Sequence, residues 1–251
     1  MKILVTFAVP TEFAAWRRQH DFRQVAQEPF ALYTSEICGS AVRVLLTGIG
    51  TAPATEAMRW ALSSPADICI SSGFAGALHP QLCTGSVLAA RVVRRAEKEL
   101  AVASDRQLLA AARDAGARQV DRLLTSERLI VGAAQKAALA CEADAVEMES
   151  FVILAEAARH GVRAVAIRAT SDTAATSLPY DFDRARDARG QIRIAPLLAI
   201  VAAHPERIPA LLRLARDCRF AARQLAEFLD QYLDLLKARL HVSQSEMMAT
   251  T

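Results

Sequence analysis

Short, nearly uninterrupted apolar runs recur along this chain at residues 2–9, 42–47, 67–71, 86–93 and 163–169, and helical patterns at 52–63, 105–116, 132–142 and 149–160 fall between several of them. A strand that is apolar on both faces must be covered on both faces. Strands that alternate with helices are joined by crossovers, so the pattern predicts an α/β fold in three layers: a mixed, largely parallel central sheet with helices on both faces. At 251 residues, with 53% hydrophobic and 23% charged content, the chain is long enough for one large core. There is no internal repeat and no low-complexity linker, which predicts a single domain over residues 1–240.

Composition narrows the partners. Thirty Lys and Arg against 27 Asp and Glu leave a formal charge of only +3, too weak a field to imply nucleic acid, so a small molecule is the expected ligand. The opening Met1-Lys-Ile-Leu-Val-Thr-Phe-Ala-Val9 runs into Pro10, Thr11 and Glu12, too short for a signal h-region, and reads as a first buried strand. No run approaches the roughly 18 apolar residues of a membrane span, and the expected location is the cytoplasm. Cys38, Cys69, Cys83, Cys141 and Cys218 are scattered singly, without a Cys-x-x-Cys pair or a His spaced for zinc. They read as small buried side chains, and neither a metal nor a cofactor is expected.

From Pro205 onward the character changes. Ile208, Leu211, Leu212, Ala215, Leu225, Phe228, Leu229, Tyr232, Leu233 and Leu236 follow helical spacing, with Arg207, Arg213, Arg216, Arg219, Arg223, Lys237 and Arg239 among them. One long helix or a helix pair is expected over 205–239, its stripe packed on the sheet or on a second subunit. Contact with a membrane surface is the less favoured alternative. The polar tail 241–251 is expected to be disordered.

Five short segments sit where strands are expected to end, which is where ligands bind in open α/β sheets. They are Pro10-Thr-Glu12, Gly48-Ile49-Gly50, Gly73-Phe74-Ala75-Gly76, Val146-Glu147-Met148-Glu149-Ser150 and Ser171-Asp172. Each has a structural explanation as well as a chemical one. Glu12 and Glu149 are acids in the first turn of a helix, Asp172 is a possible N-cap, and the glycines serve tight turns.

In order and spacing these segments resemble the nucleoside phosphorylase superfamily, and within it the nucleosidases acting on methylthioadenosine and S-adenosylhomocysteine. The likeness covers about residues 1–175 and rests on the Gly-Ile-Gly turn, Gly-Phe-Ala-Gly-Ala-Leu, Val-Glu-Met-Glu-Ser and Arg168-Ala-Thr-Ser-Asp-Thr-Ala174. It implies a phosphorylase/hydrolase-like fold, a homodimer or larger homo-oligomer, and a nucleoside substrate. Position by position, the resemblance makes Glu12 the carboxylate that orients an attacking water, and Asp172 the residue that protonates or hydrogen-bonds purine N7. Glu149, with Met148 beneath the sugar, is the acid that holds the ribose hydroxyls. Ile49, Phe74, Ala75, Gly76, Leu129, Ile130, Glu147 and Ser171 are the further substrate-binding positions it implies. These residue types suit the chemistry, because glycosidic cleavage passes through an oxocarbenium-like sugar that needs an acid at the departing base and a base on the opposite face.

A phosphate nucleophile needs several donors, typically arginines. Phosphorylases carry an Arg soon after the first strand and a hydroxyl residue in the Gly-x-Ala-Gly turn, preceded by another Arg. Here the first loop is Ala8-Val-Pro-Thr-Glu12, Phe74 stands in the hydroxyl position, and Ser71 and Ser72 precede it. Water is therefore the expected nucleophile, with a phosphate-dependent purine nucleoside phosphorylase as the alternative.

Two departures from the nucleosidase pattern leave the 5′ group open. Leu129 stands where those enzymes place a Phe against the purine, and Arg91–Glu99 is shorter than the loop that usually covers the 5′ substituent. Leu178-Pro-Tyr-Asp-Phe182, the turn at 190–193 and the segment 204–217 resemble hopanoid-associated phosphorylase-like proteins, linked to removing adenine from adenosylhopane. Two competing classes are a non-catalytic nucleoside-binding module and a methyltransferase. The latter lacks its Gly-x-Gly-x-Gly turn after the first strand.

Overall fold

The computed structural model describes residues 1–96, 100–187 and 189–249, with side chains described as far as Arg239. The first half holds the expected strands and helix and adds α1, β2 and β3: β1 (Lys2–Phe7), α1 (Pro10–Gln19), β2 (Arg23–Ala26), β3 (Leu32–Ile37), β4 (Ser40–Leu46), α2 (Thr51–Ala61) and β5 (Ile68–Ser71). Then follow β6 (Phe74–Ala77), β7 (Val87–Arg95), β8 (Leu100–Ala103), α3 (Arg106–Asp114), β9 (Arg118–Thr125), α4 (Ala133–Leu139), β10 (Ala145–Glu147), α5 (Ser150–Arg159) and β11 (Arg163–Asp172). The chain closes with a 3₁₀ turn at Phe182–Ala185, α6 (Ile194–Ala203) and α7 (Ile208–Ala249). The shortened loop at 91–99 falls partly outside the described residues, at 97–99. Of the expected tail at 241–251, the side chains and residues 250–251 lie outside them as well.

Among the described residues one sheet carries the strands in the order β2-β3-β4-β1-β5-β11-β6-β10-β9-β7-β8. The centre is parallel, with β4, β1, β5 and β11 side by side. Antiparallel pairing enters at the β2-β3-β4 edge and again between β10 and β6 and between β7 and β8. β11 also pairs antiparallel with β7, so β11, β6, β10, β9 and β7 close into a ring that the apolar pattern did not foretell. The near-continuous apolar runs are explained by the covering layers. Ile3, Val5, Phe7, Ile68, Ile70, Val165 and Ile167 face one core with α1, α3 and α7, while Leu4, Cys69, Ala164 and Ala166 face the other with α2 and α5.

Of the two arrangements expected over 205–239 the structure has one long helix, α7, preceded by a separate helix, α6, that the spacing did not indicate. α6 contains Ile194-Ala-Pro-Leu-Leu-Ala-Ile-Val-Ala-Ala203, and no residue of it is buried. α7 divides in two. From Ala221 onward Leu225, Phe228, Leu229, Tyr232, Leu233 and Leu236 are buried on the sheet face that also holds α1. Trp16 Nε1 donates to Asp230 at 2.7 Å and Tyr232 donates to the Leu108 carbonyl at 3.0 Å, which fixes the helix rotation. Before Ala221 no residue of α7 is buried, and Leu212 and Phe220 are exposed while Leu214 and Cys218 are half-buried. Among the described residues no single helix is long and apolar enough to cross a membrane.

Leu229, with 0% exposure, and Leu212, with 61%, share one helix and one side-chain chemistry. Leu229→Ala should lose about 2–5 kcal/mol of unfolding free energy through cavity formation. Leu212→Ala should change it by less than about 0.5 kcal/mol, both read from urea denaturation curves.

Candidate active site

A cavity of about 250 Å³ opens where β1, β10 and β11 end and β6 begins. Ligand pockets run to roughly 300–1,000 Å³, so this one is near the lower end. Glu12, Ile49, Phe74, Ala75, Gly76, Leu129, Ile130, Glu147, Met148, Glu149, Ser171 and Asp172 all line it. The fold thus gathers around one cavity the catalytic and substrate-binding positions that the resemblance implied. Ala8, Val9, Arg128, Val146, Leu178, Phe182, Leu214 and Cys218 complete the lining.

Glu12 reaches its place through a helix start. Pro10 sets the first turn of α1 and Glu12, two residues on, folds back so that Oε2 accepts from the Ala8 and Val9 amides at 2.8 and 3.1 Å. Oε1 accepts from the Phe74 amide at 2.8 Å. Three of its roughly four acceptor positions are therefore taken by backbone donors. Burial pushes the Glu12 carboxyl above the usual range, against the lowering effect of Arg168 and these three amides.

Arg168 stands in the middle of β11 with 1% exposure, a charge inside an apolar strand. Its Nη2 donates to Glu147 Oε2 at 2.6 Å, to Ser150 Oγ at 2.8 Å and to Ser71 Oγ at 3.3 Å, and its Nη1 donates to the Ser72 carbonyl. Glu147 caps α5 as well, accepting from the Glu149 and Ser150 amides at 2.9 and 2.8 Å and from the Thr125 hydroxyl. Its carboxylate is thus committed to the protein, whereas Glu149 has one oxygen on the Gly50 amide at 2.8 Å and the other 3.8 Å from Arg168. Burial, and then the neighbouring Glu147, push Glu149 up to about 8; Arg168 and the Gly50 amide only partly offset this. Burial works against the charge on Arg168, but Glu147, Glu149 and Glu12 together outweigh it and hold the guanidinium charged. Gly73 makes this assembly possible. Its φ is +140°, and a Cβ there would lie 2.5 Å from Arg168 Nη1 and 2.7 Å from Glu12 Oε1.

Asp172 is aimed by a bulge rather than by a helix cap. β11 and β6 pair Thr170 with Ala75 and then Asp172 with Gly76, so Ser171 is the extra residue, a device common beside active sites. Asp172 Oδ1 accepts from Ser171 Oγ at 2.6 Å, and Oδ2 accepts from Lys136. Among the described residues no cluster of His, Cys, Asp and Glu is arranged to hold a metal.

Arg168 and Lys136 are the site residues to which sequence reasoning gave no role. Arg168 was signalled in principle, because a charge interrupting Ala164-Val-Ala-Ile-Arg-Ala169 must be paired if the strand is buried. It also supplies the arginine that the Ser71-Ser72 segment lacks, but with its Nη donors committed to Glu147, Ser150, Ser71 and Ser72. Lys136 carries no comparable signal in Ala133-Ala-Gln-Lys-Ala137. Cys218 enters the cavity from α7, yet burial, followed by Asp172 and Glu12, pushes its thiol up to about 12, which rules out a thiolate nucleophile at neutral pH.

The carboxyl shifts fix a stability trend. A glutamate of ordinary value 4.5 loses its proton there in the unfolded chain, while folded Glu149 holds it to about 8, so the folded state binds more protons between those values. Stability must then fall as pH rises through that window, and Glu12 is shifted in the same direction. Melting temperature should decline across it, and Glu149→Gln should flatten the decline; an unchanged slope in the variant contradicts the assignment.

Comparison with known proteins identifies the family and the fold. The profile of the phosphorylase superfamily matches residues 2–203. The 5′-methylthioadenosine/S-adenosylhomocysteine nucleosidase of Neisseria meningitidis, solved with methylthio-immucillin-A, superposes with a TM-score of 0.71 at 21% identity, over 92% of this chain and 98% of that one. The corresponding nucleosidase of S. pneumoniae gives 0.72 at 20%, over 94% and 100%. The futalosine hydrolase of Helicobacter pylori gives 0.72 at 17%, over 93% and 97%. The chain belongs to the phosphorylase superfamily and is an enzyme of the nucleoside hydrolase or phosphorylase type.

Proposed function

We propose that the protein is a nucleosidase that hydrolyses the N-glycosidic bond of a 5′-substituted adenosine, or a related purine nucleoside, and releases the free base. The observation that carries this reading is the set of three amides of Ala8, Val9 and Phe74 gathered on Glu12. Backbone amides clustered at a strand end are what a phosphate would require. Here the chain's own carboxylate takes them, and Arg168 is held by Glu147 and two serines. A phosphate entering this corner would meet the Glu12 carboxylate on the amides it needs, whereas water needs only the acceptor position Glu12 has left.

Each residue then has a task. Glu12, made more basic by burial, takes a proton from the attacking water, as suits a general base working near neutrality. Glu149 and Met148 hold the ribose, and Glu149 gains strength as positive charge develops on the sugar. Asp172, oriented by Ser171, supplies the hydrogen bond or proton that purine N7 takes as it leaves. The apolar side chains of Phe74, Ile49, Leu129 and Ile130 pack around base and sugar.

Purified protein should release adenine from at least one of methylthioadenosine, S-adenosylhomocysteine, adenosine or a bulkier 5′-substituted adenosine, at a rate independent of phosphate. Asp172→Asn should lower kcat by roughly 100- to 10,000-fold. Phosphate-dependent release that yields ribose 1-phosphate would instead identify a purine nucleoside phosphorylase. Tight adenosine binding unchanged in Asp172→Asn, with no turnover, would identify a binding module. The assembly expected is a cytoplasmic homodimer or larger homo-oligomer, which sedimentation equilibrium tests.

A second reading concerns the 5′ group. Ile194, Leu198 and Leu212 of α6 and α7 are 74%, 62% and 61% exposed, and Leu178, Phe182, Leu214 and Cys218 add side chains to the cavity lining. Exposed apolar side chains of this kind favour an amphiphilic substrate, as in a hopanoid-pathway enzyme that removes adenine from adenosylhopane. On that reading kcat/KM for a long-chain 5′-alkylthioadenosine in mixed micelles exceeds that for methylthioadenosine; the reverse order favours the small substrate.

A further inference from the structure

Lys136 has no solvent exposure, and it delivers its ammonium from α4 to the end of the cavity occupied by Asp172. Nζ donates to Asp172 Oδ2 and, at 2.9 Å each, to the carbonyl oxygens of Thr173 and Thr176. Three acceptors match the three protons of an ammonium, and the group has no further partner to seek. Only one of the three, the carboxylate, can accept a proton outright. The pair also lies against bare backbone: a Cβ at Gly76 would approach Asp172 Oδ2 to 3.1 Å and Lys136 Cε to 3.6 Å. A wholly buried ammonium is a poor device for merely anchoring a helix, since an apolar side chain would serve as well.

On the functional reading given above, we propose that Lys136 supplies the proton that leaves with the base. As the C1′–N9 bond breaks, its electron pair passes to the purine, Lys136 Nζ gives one proton to the Asp172 carboxylate, and the carboxyl group so formed gives a proton to N7. Asp172 is then a carboxylate again, and Lys136 Nζ, now neutral, keeps its two remaining protons on the Thr173 and Thr176 carbonyls. On the opposite face water adds to C1′ and yields its proton to Glu12. Between turnovers Glu12 loses a proton to solvent and Lys136 gains one, so a cycle consumes one water and no net proton. Lys136 acts through Asp172 and is a positioning and proton-supplying residue, not one that touches the substrate.

The test compares two leaving groups on one sugar. 5′-Methylthioadenosine needs a proton at N7, whereas the 4-nitrophenyl glycoside of 5-methylthioribose departs as a stable phenolate. Lys136→Met and Lys136→Arg should each slow adenine release by about 100-fold or more, and nitrophenolate release by less than about 5-fold. Arginine keeps the charge but cannot give up a proton, so it should fail as methionine does. Methylamine should partly restore adenine release to Lys136→Ala, and guanidinium at equal concentration should not; this rescue, with Lys136→Arg, carries the test if Lys136→Met does not fold. Equal losses on both substrates, full activity in Lys136→Arg, or rescue by guanidinium would overturn the proposal. A wild-type protein that cleaves neither substrate removes the functional reading and the proposal with it, whereas a wild type that cleaves both isolates the question to Lys136.

Discussion

Arg168 is a guanidinium buried at the meeting point of four segments, with Glu147 in direct contact and Glu149 and Glu12 close enough to hold its charge. A charge so placed is tolerated only when it is paired and hydrogen-bonded, and the surrounding structure is arranged to do both. It ties the Ser71-Ser72 end of β5 to the start of α5 at Ser150 and to β10 through Glu147. Gly73 leaves the room it occupies. Without it Glu147 would lose its strongest partner, and the cap on α5 that presents Glu149 would weaken.

From this point the carboxylates separate by environment. Glu147 is spent on Arg168 and the α5 amides, whereas Glu149 and Glu12 are held above their ordinary values chiefly by burial. One site therefore contains a carboxylate committed to structural partners, a carboxyl held up to about 8, and a third that is a stronger base than a surface glutamate. Asp172 lies across the cavity with a lysine and a serine on its two oxygens. Acid and base functions are divided by burial and by partners, not by residue type.

Much of this was legible in the sequence, for identifiable reasons. The apolar runs are unbroken because the central strands are covered on both faces, so β1, β4, β5, β7 and β11 stood out. β2 and β8 lie at the sheet edges and β3 next to one, and all three have mixed burial and carry no such run. β6 and β10 are only four and three residues long, inside motifs that read as turns. The closure of β11 onto β7 depends on one long strand changing partners along its length, which no local pattern reports. At the site, segments following strands were recoverable because the fold puts strand ends together. Lys136 reaches Asp172, and Leu214 and Cys218 reach the cavity, from helices whose spacing says nothing about either. Asp172 was readable as an N-cap because an Asp after an apolar run looks the same whether a helix or a bulge follows.

The proposed hydrolysis depends on Glu12 filling the place a phosphate would need and leaving water as the nucleophile. The most direct measurement is turnover of an adenine nucleoside in ¹⁸O-enriched water containing phosphate, with the sugar product read by mass spectrometry. The account predicts free sugar carrying one ¹⁸O at C1 and no sugar phosphate. A product that is ribose 1-phosphate without solvent label would contradict it.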